Sequence, residues 1–317
     1  MIKSIYKFFL GISTNNFGKN LLSVVEKLKI KNGITLIDIG AAGDLIPRWK
    51  KISRYINYHG FEPDKRSREK LLKKNNTCKS YKIHDKIISN RVGKQKFFLC
   101  QGELNSSTYK PNDSFYSLYP FSERFKVKDE LFLECTTIDS LKFANADFIK
   151  LDIQGGELDA LVGSKKTLKK TLGLEIEVEF QKIYKNQPIF NNIYDFLKEN
   201  EFVFIDFTRL VRWERDNLYS SLGQCIWGDS IFLRTPEYIL NNFKNIEIFK
   251  KYILICLLYN KYDLIKIILK NKSFHPELIK HLSSLEDKFV KRNIFLKRVN
   301  DFIKAISFSE TDIYPTH

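Results

Sequence analysis

The chain has 317 residues, of which 43% are hydrophobic and 14% aromatic. This composition supplies a sizeable core and excludes a mostly disordered chain, and the length fits one large domain or two moderate ones. The formal net charge is +16, but the excess Lys and Arg are spread along the chain, so charge alone does not predict a nucleic-acid partner.

Cysteine spacing and apolar runs limit the class of protein further. The five cysteines form no C-x-x-C pair, which argues against a zinc module and a disulfide framework. No apolar run approaches the ~18 residues of a membrane span. We therefore expect a cytoplasmic protein without a membrane span, whose residues 1–30 form an N-terminal helical segment.

Strands alternate with helices from residue 31 onwards. The predicted strands are 33–40, 58–63, 80–89, 94–100, 146–153, 174–180, 202–207 and 225–233. The predicted helices are 47–56, 65–75, 157–170 and 192–200, and Asp64 is the predicted N-cap of the second. This alternation predicts an α/β fold with a doubly wound, mainly parallel sheet, to which the last two strands add an antiparallel edge.

Two regions depart from the alternation. Residues 101–129 are rich in Ser, Asn, Pro and Tyr without a clear period, which predicts a long loop of the kind that often carries function. After residue 236 the pattern is helical. The predicted organisation is a helical segment at 1–30, a Rossmann-like domain at 31–236 and a helical appendage at 237–317, a candidate for homo-oligomer contacts.

A glycine loop follows the first strand and predicts a bound ligand. Glycines at such a strand end let a ligand approach the backbone closely. Glu62 ends the next strand, where an acid can accept hydrogen bonds from the two hydroxyls of a ribose. Together they predict an adenosine-containing ligand bound by Asp38, Gly40, Ala41, Gly43 and Glu62.

Both nicotinamide dinucleotides and S-adenosylmethionine contain adenosine. The dinucleotide fingerprint G-x-G-x-x-G is absent, because the loop holds only Gly40 and Gly43, and no Lys or Arg lies inside it to bind phosphates. S-adenosylmethionine therefore fits better. Asp85, on the third predicted strand, is a candidate partner of the adenine amine.

Several runs of sequence belong together. They are TLIDIGA from Thr35, GFEPD from Gly60, NSST from Asn105, FIKLDIQGGE from Phe148, and EVEF from Glu177 followed by Tyr184, Gln187, Pro188 and Phe190. With these runs the chain resembles the FkbM-type methyltransferase family from about residue 34 to residue 234, and the block K-x-D-x-Q-G-x-E is the specific part. Gly43 lies one residue earlier than the second loop glycine in the common form of the family.

The resemblance implies a class I, Rossmann-like methyltransferase. Such an enzyme transfers a methyl group from S-adenosylmethionine to an oxygen, often a hydroxyl of a sugar, a glycan or a small hydroxylated metabolite, which points to polysaccharide biosynthesis. A carboxylate that removes the hydroxyl proton adds ~10²–10⁴-fold to the rate. Asp152 is the candidate base, and Lys150 and Glu157 are further catalytic candidates.

Other side chains are candidates for substrate contacts, each with a plainer alternative. Ser106 and Ser107 are candidates within the predicted loop but could be turn residues. Glu177 and Glu179 share one side of a strand, and one of them could be an ordinary exposed acid. Asp152 and Glu157 could instead stabilise the N-terminus of the following helix. His59 and His84 are interpreted as surface or packing residues, Trp213 and Trp227 as core residues rather than sugar platforms, and no metal site is expected.

Two alternative functions are retained. An RNA methyltransferase agrees with the net charge and would need stacking aromatics and a cationic face beside the cleft. A non-catalytic, methyltransferase-like binding module in polysaccharide assembly would keep the fold without the chemistry. The glycine loop, Glu62 and the block around Asp152 all carry chemically competent side chains, which favours an enzyme.

Overall fold

The computed structural model describes residues 21–270 except 44, 75, 142–145 and 217–222, together with parts of 274–291. The chain forms two compact units. One consists of Gly33–Ile46 and Ser53–Thr235, and the other of the described residues of Met1–Asn32, Pro47–Ile52 and Pro236–His317. The three-part division drawn from the sequence stays a prediction.

The first unit is built on two sheets. The strands are β1 Ile34–Ile39, β2 Ile56–Phe61, β3 Ser80–His84, β4 Ile87–Ile88, β5 Gly93–Cys100, β6 Val127–Thr136, β7 Phe148–Leu151, β8 Gly173–Glu179, β9 Val203–Trp213 and β10 Gln224–Leu233. The helices of both units are α1 (described residues 21–28), α2 Pro47–Lys50, α3 Lys65–Leu72, α4 Asp113–Tyr116, α5 Glu157–Val162, α6 Lys165–Leu168, α7 Phe190–Glu199, α8 Pro236–Asn242, α9 Ile246–Leu258 and α10 Tyr262–Leu269. Short 3₁₀ helices lie at Ser53–Tyr55, Glu103–Asn105, Ser122–Phe125 and Ile138–Ser140.

The main sheet has the strand order β3-β2-β1-β7-β8-β10-β9. The pairs from β3 to β8 are parallel, and β10 runs antiparallel to both of its neighbours. Buried aliphatic residues that alternate along β1, β7 and β8 form one core cluster with α5, α6 and α7 on one face of the sheet, and β8 is buried along its whole length. The predicted Rossmann-like, doubly wound and mainly parallel sheet is confirmed.

The strand order reverses between β1 and β7. From β1 the chain builds outward to β2 and β3, whereas β7 is followed on its other side by β8. Asp38 on β1 is in register with Lys150 on β7. Ligands of open α/β sheets bind beyond the carboxyl ends of the strands at such a reversal. The glycine loop after β1 and the segment after β7 therefore meet at the expected ligand position.

A second, three-stranded sheet in the order β4-β6-β5 was not predicted. The predicted strand 80–89 divides, because β3 joins the main sheet while β4 pairs with β6. The prediction missed β6 altogether and left its first residues in the loop 101–129. Lys128, Asp129 and Glu130 are all exposed at the start of β6, so the strand has no clean apolar alternation there.

Two predicted helices are shorter than expected. The predicted helix 47–56 is reduced to α2 and a 3₁₀ turn, because Ile56 already pairs with β1. The predicted helix 157–170 is interrupted at Gly163, between α5 and α6. A Cβ on Gly163 would lie 2.1 Å from the carbonyl oxygen of Ser89, so this position, at which α5 ends, accepts only glycine.

The second unit is helical in its described part. Its longest described helix, α9, is buried along most of its length, and Trp49 donates from its indole nitrogen to the Tyr259 hydroxyl at 3.1 Å. No helix in the described ranges is long and apolar enough to cross a membrane. The helices predicted in residues 1–20 and 292–306 lie outside the described residues, and self-association and cytoplasmic location stay predictions.

Candidate functional site

A cleft of about 790 Å³ lies at the carboxyl ends of β1 and β7. Ile39 and Gly40 line it from the first loop, Glu62 from the end of β2, and Asp152 and Gln154 from the segment after β7. Sequence motifs more than one hundred residues apart thus converge on one cavity. The parallel sheet produces this convergence, because its strands all end at the same edge.

The first loop packs tightly against the segment after β7. Gly40 has a φ of +80°, and a Cβ there would lie 1.8 Å from the carbonyl oxygen of Asp152. Gly43 has a φ of +112° and open space where its Cβ would stand. Lys74, at the end of the α3 segment, donates to the Gly43 carbonyl, so a cation does reach the loop from outside it.

Glu62 presents a carboxylate to the cleft. Its Oε1 accepts a hydrogen bond from the Asp64 backbone at 2.8 Å, and Asp64 in turn caps α3 by accepting from the Arg66 backbone, as predicted. Burial raises the pKa of Glu62 to about 7, against the lowering effect of the Asp64 amide. The carboxylate is fixed in place by its own chain and suited to hydroxyl donors.

Lys150 links two carboxylates behind the cleft. Its Nζ lies 3.4 Å from Asp38 Oδ1 and 3.4 Å from Asp152 Oδ2. Burial lowers the pKa of Lys150, but the two carboxylates outweigh burial and hold it above its ordinary value. Tyr58 donates to Asp38 Oδ2 at 2.8 Å. Asp38 and Lys150 do not line the cleft. They support Asp152, which does line it.

Gln154 holds two of the carboxylates that line the cleft. Its Nε2 donates to Asp152 Oδ1 at 3.2 Å and to Glu177 Oε1 at 2.6 Å. Its Oε1 lies 2.9 Å from the Tyr184 hydroxyl, which also lies 3.0 Å from the Asn105 carbonyl. Gln154 has a φ of +60°, an uncommon backbone conformation for a residue other than glycine. These contacts hold the Gln154 side chain in the cleft lining, between Asp152 and Glu177.

Acidic side chains concentrate around Asp152. Burial, together with the charge of Asp152, raises the pKa of Glu177 well above its ordinary value and that of Asp229 to about 6. Burial and the nearby Glu157 raise the pKa of Glu179 likewise. Glu177 lines the cleft, whereas Glu179 is buried behind it with an Oε1 that has no hydrogen-bond partner among the described residues.

Three predicted residues have structural contacts. Glu157 Oε1 accepts from the Ile153 backbone at 2.7 Å and closes the turn, and burial raises its pKa to about 7. Ser107 donates to the Gln154 carbonyl at 2.7 Å and is fully buried. Ser106 Oγ accepts from the Cys100 backbone at 3.1 Å and lines the cleft. These contacts fit the plainer alternative for Glu157 and Ser107.

Two further predicted residues lie beside the cleft. Asp85 is exposed after the end of β3, and its neighbour Lys86 lines the cleft instead. Ala41 is buried beneath the loop.

The two histidines interpreted as separate packing or surface residues are in fact neighbours, because β2 and β3 pair in register. His59 Nδ1 lies 3.3 Å from His84 Nε2.

The prediction missed the aromatic and cationic wall of the cleft. Its members come from residues 121–125, β9 and β10, and they are Phe121, Arg124, Phe125, Arg209, Trp213 and Trp227. Both tryptophans were interpreted as core residues; they pack against a buried aromatic cluster and also line the cleft. The alternation of Arg209, Val211 and Trp213 along β9 was the available signal, since alternate residues of a strand share a face. Within the described ranges no group of three His, Cys, Asp or Glu side chains could hold a metal ion.

Comparison with known proteins gives a family match. The sequence model of the Methyltransferase FkbM domain matches residues 38–204, more than half of this chain. The 2-O-methyltransferase NoeI of Sinorhizobium fredii (strain NBRC 101917 / NGR234) is 26% identical over 195 residues, covering 58% of this chain and 78% of that protein. The family match includes the first loop, Glu62 and the block around Asp152.

Solved structures show more distant likeness. The methyltransferase FkbM from Methylobacillus flagellatus KT has a TM-score of 0.37 and 14% identity, covering 64% of this chain and 44% of that one. The chain thus spans less than half the length of that neighbour. TrmK of M. capricolum has a TM-score of 0.31 and 12% identity, covering 88% of this chain and 97% of that one.

Proposed function

The chain belongs to the FkbM methyltransferase family and is a methyltransferase, and from this premise we propose that it transfers the methyl group of S-adenosylmethionine to a hydroxyl oxygen of a sugar, free or within a glycan. One observation carries the proposal. A single cleft is lined by Gly40 and Glu62 on one side and by Asp152 on the other, so donor and acceptor can meet within it.

The residues of the first loop suit the adenosine donor. Gly43 leaves open space beside the backbone, and the buried Glu62 offers carboxylate oxygen to hydroxyl donors. Glycine-loop amides and a ribose-binding acid are the elements that adenosine ligands use in this type of fold. Gly40, Gly43 and Glu62 would hold the donor, with Asp38 and Ala41 beneath the loop. When bound, S-adenosylmethionine would supply a methyl group on a sulfonium, and the carbon–sulfur bond would break as the acceptor oxygen bonds to that carbon, which leaves S-adenosylhomocysteine.

Asp152 is the proposed general base. A sugar hydroxyl is a weak nucleophile, and a positioned carboxylate that accepts its proton adds ~10²–10⁴-fold to the rate. The proton of the hydroxyl passes to the Asp152 carboxylate as the oxygen bonds to carbon. Lys150 and Gln154 both donate toward that carboxylate and fix its direction, so the chain supplies orientation as well as the base.

An oxygen acceptor is also supported by the relative. Its name describes transfer to an oxygen at a 2-position, and the aligned segment covers more than half of this chain. The alternative of an RNA acceptor is supported by the net charge of +16 and by the arginines and aromatic rings that line the cleft. The cleft of about 790 Å³ accommodates a donor beside a small sugar.

The test is calorimetric titration of the protein with S-adenosylmethionine and, separately, with NAD. We expect micromolar binding of S-adenosylmethionine, little binding of NAD, and at least about tenfold weaker S-adenosylmethionine binding by Glu62→Ala, since a charge-assisted hydrogen bond contributes about 1.5–3 kcal/mol. The matched control is Glu134→Ala, an exposed glutamate on β6 outside the cleft.

Transfer itself is then followed with labelled S-adenosylmethionine and three acceptor classes: sugars, oligosaccharides and RNA. Label in the sugar fraction supports the proposal. Label in RNA alone assigns the alternative acceptor. Absence of S-adenosylmethionine binding by folded protein contradicts the proposed cofactor.

A further inference from the structure

One wall of the cleft comes from a single strand. Arg209, Val211 and Trp213 alternate along β9, so their side chains share one face, and all three line the cleft. Trp227 on β10 is in register with Val211 and lines the cleft beside it. The wall continues to Phe121, whose ring contacts that of Trp213 edge-on at 4.8 Å.

Two guanidinium groups lie on the rings of this wall. Arg209 lies over the Trp227 ring at 4.7 Å, and Arg124 lies over the Phe121 ring at 5.0 Å. Neither arginine has a carboxylate within 4.0 Å among the described residues. A guanidinium stacked on a ring keeps its N–H edge available for a ligand. The wall therefore presents two guanidinium groups to the cleft, each held over an aromatic ring.

The acidic groups of the cleft have partners of their own. Glu103 forms an ion pair with Lys70 at 2.7 Å, and Asp152 is contacted by Lys150. Asp229 is in register with Arg209 and attracts it, but it lies mostly buried. The positive charge of Arg124 has no such counterpart in the described part of the chain. A negatively charged group on the ligand would supply the counter-charge that Arg124 lacks.

We propose that the acceptor is a sugar that carries an anionic group, a phosphate or a carboxylate, bound by Arg124 and Arg209 while its ring lies against Trp213 and Trp227. This inference rests on the proposed function and names its acceptor class. Guanidinium groups bind carboxylates and phosphates through paired, charge-assisted hydrogen bonds, whereas aromatic faces accept the apolar face of a sugar ring. The net charge of +16 attracts such an acceptor from a distance.

A neutral sugar would leave this wall incomplete. Its hydroxyls would find acceptors in Asp152 and Glu177, but it would bring no negative charge to the two guanidinium groups. Two stacked guanidiniums that face one cleft therefore match a ligand with concentrated negative charge. Phosphate and carboxylate share that chemistry, and the probes below separate them.

The test is calorimetric titration of the full chain, saturated with S-adenosylmethionine, with three probes: UDP-glucose, digalacturonate and lactose. We expect at least one anionic probe to bind about tenfold or more tightly than lactose, with an affinity that falls as salt is added. Arg124→Gln and Arg209→Gln should each weaken that binding by about tenfold or more. The anionic probe that binds better identifies phosphate or carboxylate.

Arg212→Gln is the matched control. Arg212 lies on the same strand but alternates with the cleft-lining residues, and it donates to the Gly223 carbonyl at 3.3 Å instead. It should bind the anionic probe as the wild type does. Equal binding of lactose, failure of both anionic probes, or unchanged affinity in both cleft variants would overturn the inference. If S-adenosylmethionine still binds in that case, the proposed function stands and only the acceptor class fails.

Discussion

Gly40 and Asp152 touch through their backbones, and a Cβ on Gly40 would lie 1.8 Å from the Asp152 carbonyl oxygen. This contact joins the loop after β1 to the segment that carries the proposed base. This one contact therefore fixes the proposed donor loop and the proposed base relative to each other. A side chain at residue 40 would disturb both.

Gly40→Ala should destabilise the protein strongly. The φ of +80° and the clash with the Asp152 carbonyl together predict a loss of about 3 kcal/mol in the free energy of unfolding, measured by urea denaturation. Gly43→Ala is the control, because its φ is also positive but its Cβ position is open, and we expect a loss of only about 1–2 kcal/mol. Equal stability of the two variants would contradict the packing argument.

Asp152→Asn should lower kcat by ~10²–10⁴-fold while binding of S-adenosylmethionine is retained, because the amide cannot accept the hydroxyl proton. The alternative is that acids near the helix N-terminus only stabilise α5. Asp159→Asn tests that alternative, since Asp159 lies in the first turn of α5 but outside the cleft lining. Similar kcat losses in the two variants would argue against a base at residue 152.

Tyr184→Phe should reduce catalysis by acting through Gln154. The variant keeps the buried ring and loses the hydroxyl that lies 2.9 Å from Gln154 Oε1. We expect a loss of about 1 kcal/mol in stability and a kcat about tenfold lower at similar donor affinity. Tyr116→Phe, which removes a hydroxyl bonded to Asp113 in the same aromatic cluster, should lose comparable stability without the fall in kcat. Comparable kcat values for the two variants would refute a positioning role.

Binding of S-adenosylmethionine should strengthen as the pH rises through about 7. Burial raises the pKa of Glu62 to about 7, and its ionised form is the better acceptor for ribose hydroxyls. Titration calorimetry between pH 5.5 and pH 8.5 would measure the trend. Glu62→Gln should bind more weakly with a flat profile. A sloped profile in that variant would assign the pH dependence to another group.

The contribution of Glu157 to the stability of the ligand-free protein should fall as the pH rises. Burial raises its pKa from 4.5 to about 7 in the folded state, so its contribution is full below pH 4.5 and is lost as the pH rises through 7. Glu157→Gln keeps an oxygen for the Ile153 amide and cannot ionise. Denaturation curves should show it similar to the wild type at pH 5 and more stable than the wild type at pH 8. A variant less stable at both values would contradict this assignment.

The sequence predicts the inner parallel strands well because they are short, apolar and followed by glycine or an acid, whereas β9, predicted to end at residue 207, extends to Trp213. β1 and β7 both have this form and both end at the cleft. β6 could not be found in the same way, since its exposed charged residues hide the alternation. The break at Gly163 depends on the Ser89 carbonyl, a contact distant in sequence that no local pattern reports.

The candidate site likewise contains residues that the sequence predicts and residues that it does not. Gly40, Glu62 and Asp152 follow strand ends, so topology alone brings them together. The wall formed by Arg124, Arg209 and the two tryptophans depends on how a segment between strands lies against β9. That relation is set by tertiary packing, and an aromatic residue looks the same in sequence whether it lines a core or a cleft.

The two sides of the cleft come from different kinds of chain segment. The proposed donor side uses the short turns after β1 and β2. The proposed acceptor side uses the 3₁₀ segment Ser122–Phe125 and the strands β9 and β10. Substitutions on β9 leave the pairing of β1 and β7 intact, because β9 is the edge strand and pairs with β10. A protein built in this way can exchange one substrate for another while its reaction stays the same.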